Sequence, residues 1–185
     1  MNRKKMIMFL IIALIVIIGI LAVMKFMSKK VEVVPNEITP LEEITDEQER
    51  QTMISLYFVN PETNTLIPEA RRVDAKLLLE NPYKTLVELL IEKPKNKKLE
   101  SAIPEGTKVN NARLKENTVE LDLSKEFIEN QNGDVEKASL SIYAIVNTLT
   151  ELNEVNSVKI LIDGEKNAKF KDNNLSLGES FIRKG

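Results

Sequence analysis

The sequence contains no histidine, no cysteine and no tryptophan among its 185 residues. Without histidine or cysteine, the chain cannot form a Ser-His-Asp or Cys-His nucleophilic system, a thiol redox centre or an ordinary zinc site. The side chain that most often transfers protons near neutral pH is missing as well. Any catalysis would therefore depend on carboxylates, lysine, tyrosine or serine.

Charge is missing from one long stretch near the N-terminus, residues 6–24, which is apolar over 19 consecutive positions. A helix of that length spans about 28 Å, close to the ~30 Å hydrocarbon core of a bilayer. A cleaved signal peptide usually has a shorter apolar region followed by small residues, and lipoprotein processing would need a cysteine. We therefore predict that residues 1–30 form a basic tail and an uncleaved transmembrane anchor. The alternative is an unusual signal peptide.

An acidic stretch follows at residues 31–52, with seven acidic residues, one arginine and two prolines. This composition cannot bury a core and is typical of a flexible linker. Basic residues on the two sides of the apolar run are nearly balanced, so they do not fix the membrane orientation by themselves. Because a short basic tail is usually retained in the cytosol, we expect a single-pass protein of the cell membrane with its C-terminal domain extracytoplasmic.

Residues 53–182 alternate between β-rich and helical segments and predict one small domain, with residues 183–185 as a tail. One helical segment runs from Pro82 to about Glu92, after an N-cap at Asn81, and the other covers about 135–152. The predicted order is β-β-α-β-β-α-β. This order favours an α+β sandwich in which two helices pack on one face of a small sheet.

The second helical segment carries the candidate contact residues. Its apolar positions share one stripe, which we predict faces the core: Ala138, Ile142, Ile145, Leu149 and Leu152. Leu140, Tyr143 and Asn147 fall on the opposite side, and a tyrosine beside a leucine is the composition of a protein-contact surface. The alternative is ordinary, partly covered surface. Thr148 lies at the margin, and we expect its hydroxyl to bond to a helix carbonyl.

Three carboxylates, Asp122, Glu126 and Asp163, could be considered for sugar hydrolysis, which needs two carboxyl groups about 5–9.5 Å apart. Strand alternation directs Asp122 outward, and Asp163 precedes Gly164 in a turn, so both are expected to be solvated. No dense loop of oxygen ligands for a cation is present in the sequence. We therefore predict no catalytic, cofactor-binding or metal-binding residues and no enzyme activity.

Six short blocks occur in order along the globular part: LYFVN (56–60), LVELLIEKP (86–94), SAIPEGTKV (101–109), VELDLSKEF (119–127), SIYAIVNTLTEL (141–152) and VKILIDGEK (158–166). Together they resemble the GerMN-domain family of GerM-type sporulation and spore-germination proteins, over most of residues 53–182. The resemblance implies a non-enzymatic α/β module similar to ring-building-motif domains. The chain would then be a single-domain, membrane-anchored member.

The leading hypothesis is an extracytoplasmic interaction module in sporulation, spore germination or cell-envelope assembly. It would bind one or more protein partners, and homo-oligomerisation is left open. Two alternatives remain: a protein that binds or modifies cell-wall peptidoglycan, and a sensory accessory subunit that binds a small ligand. Nucleic-acid binding is not expected, because the net charge is −2.

Overall fold

A computed structural model describes residues 50–131, 135–170 and 175–184. The predicted anchor at residues 6–24 and nearly all of the acidic linker lie outside these ranges. Among the residues that are described, no helix is long and apolar enough to cross a membrane. The described ranges cover nearly all of the domain predicted at residues 53–182.

The first two strands form an antiparallel hairpin. β1 (Gln51–Asn60) and β2 (Thr65–Asp74) pair along their whole length, and β1 is rich in the β-branched and aromatic residues that favour strands. The turn is fixed by Asn60, whose side-chain oxygen accepts a hydrogen bond from the Glu62 N–H at 2.9 Å. Asn64 closes the turn in the left-handed conformation, with φ 52°.

A 3-10 turn (Ala75–Leu78) and helix α1 (Pro82–Ile91) follow the hairpin. The predicted N-cap is present: the side-chain oxygen of Asn81 accepts a hydrogen bond from the Lys84 N–H at 3.0 Å. The amide nitrogen of the same side chain donates to the Ala112 carbonyl in the second sheet at 2.9 Å. Asn81 therefore starts the helix and attaches it to that sheet.

The second sheet has three strands in the order β3-β4-β5. β3 (Val109–Lys115) and β4 (Thr118–Leu123) are antiparallel, whereas β5 (Ser157–Ile162) runs parallel to β4. A parallel connection requires a long crossover, usually a helix. Here the crossover contains a short helix, α2 (Glu126–Glu129), and the long helix α3 (Val135–Leu149).

One hydrophobic cluster joins both sheets to helices α1 and α3. β4 shows the alternation expected of a half-buried strand, because Val119, Leu121 and Leu123 are buried and the residues between them are partly exposed. The predicted core stripe of α3 is buried at Ala138, Ile142, Ile145 and Leu149. The largest fully buried side chains include Phe58, Phe127, Leu56, Leu90, Leu121 and Leu123.

The α+β class is confirmed, but the described strands form two sheets instead of one. The physical reason lies at the open edge of β1. The Tyr57 N–H donates to the Thr148 hydroxyl at 3.1 Å, and Val59 exchanges two backbone hydrogen bonds with Glu100 at 2.9 Å each. A side chain of α3 and a loop thus take the places that a strand of the second sheet would need. The Thr148 hydroxyl accepts this hydrogen bond from β1, and the expected bond from it to a helix carbonyl is not found among the described residues.

Two element bounds differ from the sequence-based ones, and one short helix is additional. β1 begins at Gln51, so residues 51 and 52 belong to the domain and not to the linker predicted at 31–52. α3 ends at Leu149 instead of about residue 152. The short helix α2 was not predicted, because four residues give too little periodicity to recognise.

Candidate functional site

Tyr143, one of the three predicted contact residues, is covered by the C-terminal part of its own chain. The Phe181 ring meets the Tyr143 ring edge-on, with centroids 6.4 Å apart and planes inclined at 83°. Lys184 Nζ lies 4.7 Å from the Tyr143 ring centroid, a distance typical of a cation–π contact. The segment Phe181–Lys184, which we call the C-terminal clasp, therefore occupies part of the surface that was predicted to receive a partner.

The clasp is attached at two further points. Phe181 exchanges backbone hydrogen bonds with Val158 of β5 at 2.8 and 2.9 Å. The Arg183 guanidinium lies 2.6 Å from a Glu151 carboxylate oxygen and 5.2 Å from the centroid of the Tyr57 ring. Residues 183–185 were predicted as a tail, but Arg183 and Lys184 contact the domain.

Tyr57, Glu151 and Arg183 form a polar network under the clasp. The Tyr57 hydroxyl donates to the Glu151 carboxylate at 2.9 Å and accepts a hydrogen bond from Arg183. Burial raises the pKa of Tyr57, and the neighbouring Glu151 carboxylate raises it further. Burial alone would raise the pKa of Glu151, but hydrogen bonds from Arg183 and Tyr57 outweigh it, and this pKa is lowered. At neutral pH the network is therefore an ion pair beside a neutral tyrosine.

Asn147 was predicted to offer hydrogen bonds on an outer face, and this placement is wrong. The residue is only 8% exposed, and its Oδ1 has no hydrogen-bond partner among the described residues. Asn147 lies one helical turn after Tyr143, which the clasp contacts. A helical wheel gives the angle of Asn147 on the helix but cannot show that distant residues cover that side.

Leu140 lies apart from the other two predicted residues and lines an open groove of about 790 Å³. The groove is formed by the end of β1, the loop at residues 100–105, the end of α2 and the first turns of α3. Its apolar lining comprises Val59, Pro61, Ala102, Ile103, Pro104 and Leu140. Its charged and amide side chains comprise Asn64, Glu100, Glu105, Glu129, Asn130, Gln131 and Lys137.

Hydrogen bonds between these segments hold the groove in shape. The fully buried Ser141 hydroxyl lies 2.5 Å from the Ala102 carbonyl oxygen and 2.5 Å from the Gln131 amide nitrogen. The Asn130 amide donates to the Glu105 carbonyl at 2.6 Å. These bonds connect α3 and the end of α2 to the loop at residues 100–105. The groove is therefore preformed, as ligand and partner sites usually are.

The three candidate carboxylates have separate structural roles. Asp122 accepts a hydrogen bond from the Gly164 N–H at 2.9 Å, and Asp163 accepts one from the Asn110 amide at 3.0 Å. A hydrogen bond from the Ser124 hydroxyl lowers the pKa of Glu126, at the start of α2. Each carboxylate holds a turn or a strand end, and no paired acid and base for glycoside hydrolysis is apparent among these three.

The buried ion pair between Arg71 and Glu69 was missed in the sequence. The Arg71 guanidinium lies 2.7 Å from the Glu69 carboxylate and donates to the Leu89 carbonyl in the last turn of α1 at 3.3 Å. The Asn96 N–H donates to the second Glu69 oxygen at 2.8 Å. The sequence did contain a sign of this pair: in a strand, alternate residues face the same side, so Glu69 and Arg71 share a face with the buried Val73. The pair fixes β2 to α1 and to the loop that follows α1.

The family profile described as "Germane: Sporulation and spore germination" matches residues 55–168. The chain therefore belongs to this family, and the resemblance to GerMN domains is confirmed. A comparison of the sequence with curated proteins finds no match.

The solved structures that are similar in fold include two from one protein. The tandem GerMN domains of the sporulation protein GerM from Bacillus subtilis align with a TM-score of 0.59 and 19% identity, over 71% of this chain and 46% of that chain. The first GerMN domain of the same protein aligns with a TM-score of 0.59 and 20% identity, over 71% of this chain and 98% of that one. This chain thus spans less than half of the tandem protein, and the likeness shows the fold alone.

Proposed function

We propose that this protein is a membrane-anchored, extracytoplasmic interaction module without enzyme activity, which binds a protein partner in a sporulation, germination or envelope complex. Membership of a sporulation and germination family supports the cellular process. The carboxylates Asp122, Glu126 and Asp163 hold turns and strand ends in place, and this supports a role other than hydrolysis.

The observation that carries the proposal is the groove beside Leu140. Apolar side chains with a surrounding set of polar groups are the usual composition of a protein–protein contact site. Glu100, Glu105 and Glu129 carry more negative charge than Lys137 offsets. The groove therefore fits a partner that inserts an apolar side chain next to a lysine or arginine.

A substitution in the groove tests this proposal. Leu140→Glu adds a charge to the apolar lining and should reduce recovery of a partner with the full-length, membrane-extracted protein at least about tenfold, as loss of an interface anchor does. Met53→Glu is the matched control, because Met53 is 57% exposed on β1 and is not part of the groove. Equal recovery by both variants, at unchanged melting temperatures, would contradict the proposal.

A second candidate function is the binding of a small ligand by a sensory accessory subunit. The groove volume of about 790 Å³ favours it, because small-molecule sites usually measure about 300–1,000 Å³. Native mass spectrometry of protein purified from its own cells distinguishes the two candidates. A bound small molecule that Leu140→Glu releases would favour the ligand-binding function.

The anchor is a separate part of the proposal, and it depends on residues 6–24. The protein should remain full length in the membrane fraction, and protease added to protoplasts should digest its domain. Recovery of a soluble protein shortened by about 25 residues would indicate a cleaved signal peptide instead.

A further inference from the structure

The loop that follows α1 carries four lysines within six positions: Lys93, Lys95, Lys97 and Lys98. All four are exposed, and none of them forms an ion pair within residues 50–131, 135–170 and 175–184. Residues 93–98, which we call the lysine loop, include no acidic residue, although the whole chain has a net charge of −2. The lysine loop is therefore a local concentration of positive charge on an acidic protein.

The carboxylates next to the lysine loop leave most of this charge unbalanced. Glu92 lies 3.6 Å from the Arg71 guanidinium, which also pairs with the buried Glu69 at 2.7 Å. Glu100 follows the other end of the loop, where it lines the groove beside Leu140. The ammonium groups of the loop can therefore bind an anion from outside the chain.

Hydrogen bonds hold the backbone of the lysine loop in place. The Asn96 N–H donates to the Glu69 carboxylate at 2.8 Å, and the Lys93 carbonyl oxygen lies 3.5 Å from a nitrogen of the Arg71 guanidinium. The Asn96 side-chain oxygen accepts a hydrogen bond from the Lys98 N–H at 3.0 Å. The buried ion pair thus fixes the backbone from which the lysines project, and a fixed loop loses less conformational entropy when it binds a ligand.

The composition of the lysine loop indicates the kind of anion. Lysine presents a compact point charge, whereas arginine is the usual side chain for bidentate recognition of a single carboxylate or phosphate. Four lysines without an arginine therefore fit several anionic groups in a row. The loop has no aromatic side chain on which a nucleic-acid base could stack. Its one apolar residue, Pro94, is half-buried, so the loop has no exposed apolar side chain to enter a membrane.

We propose that the lysine loop binds a flexible polymer that carries a phosphate group in each repeat. The lysine ammonium groups contact successive phosphates, and the release of counterions from the polymer favours binding. Anionic lipids and nucleic acids share the phosphate chemistry, but the absence of exposed apolar and of aromatic side chains in the loop favours the polymer. The site is separate from the groove beside Leu140, and the proposal does not depend on the function of that groove.

Binding of fluorescently labelled poly(glycerol phosphate) to the full-length protein in non-ionic detergent tests this proposal. Lys97→Gln with Lys98→Gln should weaken binding at least about tenfold, because each lysine beside an anionic surface contributes about fivefold. It should also lower the slope of log Kd against log salt concentration by about two, since two phosphate contacts are lost. The matched control, Lys166→Gln with Lys169→Gln, removes the same charge from two other exposed lysines. It should change the affinity less than about twofold, because salt screens charges outside the site.

Competition experiments identify the source of the phosphate. Short-chain phosphatidylglycerol and a single-stranded DNA oligonucleotide are each added at the same phosphate concentration as unlabelled poly(glycerol phosphate), and both should displace the labelled polymer less effectively. Equal displacement by the lipid or by the DNA would overturn the polymer assignment. Equal weakening by the two pairs of glutamine substitutions, or no saturable binding to the wild type at low salt, would overturn the site itself.

Discussion

The Arg183 guanidinium lies over the ring of Tyr57, 5.2 Å from the ring centroid, and so connects the C-terminal clasp to the first strand. Glu151 completes the contact, with its carboxylate 2.6 Å from Arg183. The side of α3 that carries Tyr143 was predicted to be exposed, but the C-terminal clasp of the same chain covers it. Substitutions on that side should therefore affect folding stability and not partner binding.

Tyr143→Ala should destabilise the domain and leave partner binding unaffected where folding is kept. It removes the edge-on contact with Phe181 and the cation–π contact with Lys184, and we expect a loss of about 1–3 kcal/mol in the free energy of unfolding. Urea denaturation measures it. Ile145→Ala, in the fully buried stripe of α3, should cost more, about 2–5 kcal/mol. A Tyr143→Ala protein of unchanged stability that loses its partner would restore the original contact-surface prediction.

Arg71→Ala should be among the most destabilising single substitutions. The side chains of Arg71 and Glu69 are 3% and 9% exposed, so removing the arginine leaves a buried carboxylate without its partner, at a cost of about 3–5 kcal/mol. The neighbouring Arg72 is exposed, and Arg72→Ala should change the free energy of unfolding by only about 0.5 kcal/mol. Similar melting temperatures for the two variants would show that the ion pair does not hold β2 to α1.

Glu69 should also make stability depend on pH. Burial alone would raise its pKa, but the Asn96 N–H and Arg71 outweigh burial and hold the pKa below the ordinary value of 4.5. The unfolded chain therefore binds this proton more readily than the folded one. The stabilisation is fully present above pH 4.5 and is lost as the pH falls through the folded-state pKa.

Urea midpoints at pH 7 and at several values below pH 4.5 measure this dependence. Glu69→Gln should lower the midpoint at pH 7 and flatten the decline on the acidic side. If the urea midpoint of Glu69→Gln falls with decreasing pH as steeply as that of the wild type, the pH dependence comes from other carboxylates.

Local patterns predicted most of the elements, and contacts between distant residues account for what they missed. The buried stripe of α3 and the alternation of β4 follow from periodicity within one segment. The contact of the clasp with Tyr143 could not be predicted in this way, because the clasp lies more than thirty residues further along the chain. The division into two sheets likewise depends on the contact between Thr148 and Tyr57, which no single segment contains.

The groove was only partly visible in the sequence. Leu140 was identified, but for a surface shared with Tyr143 and Asn147. The groove instead combines it with residues from three other segments, such as Ala102 and Gln131. The Ser141 hydrogen bonds bring these segments together. Such bonds between distant residues leave no periodic pattern in the sequence.

Site-specific photocross-linking in living cells tests the central claim most directly. A photoreactive residue is placed at position 140 of the full-length, anchored protein, and at position 53 as the control, during sporulation. The groove proposal predicts a discrete protein adduct from position 140 that is absent from position 53. Adducts from position 53 alone, or the same pattern from both positions, would contradict it.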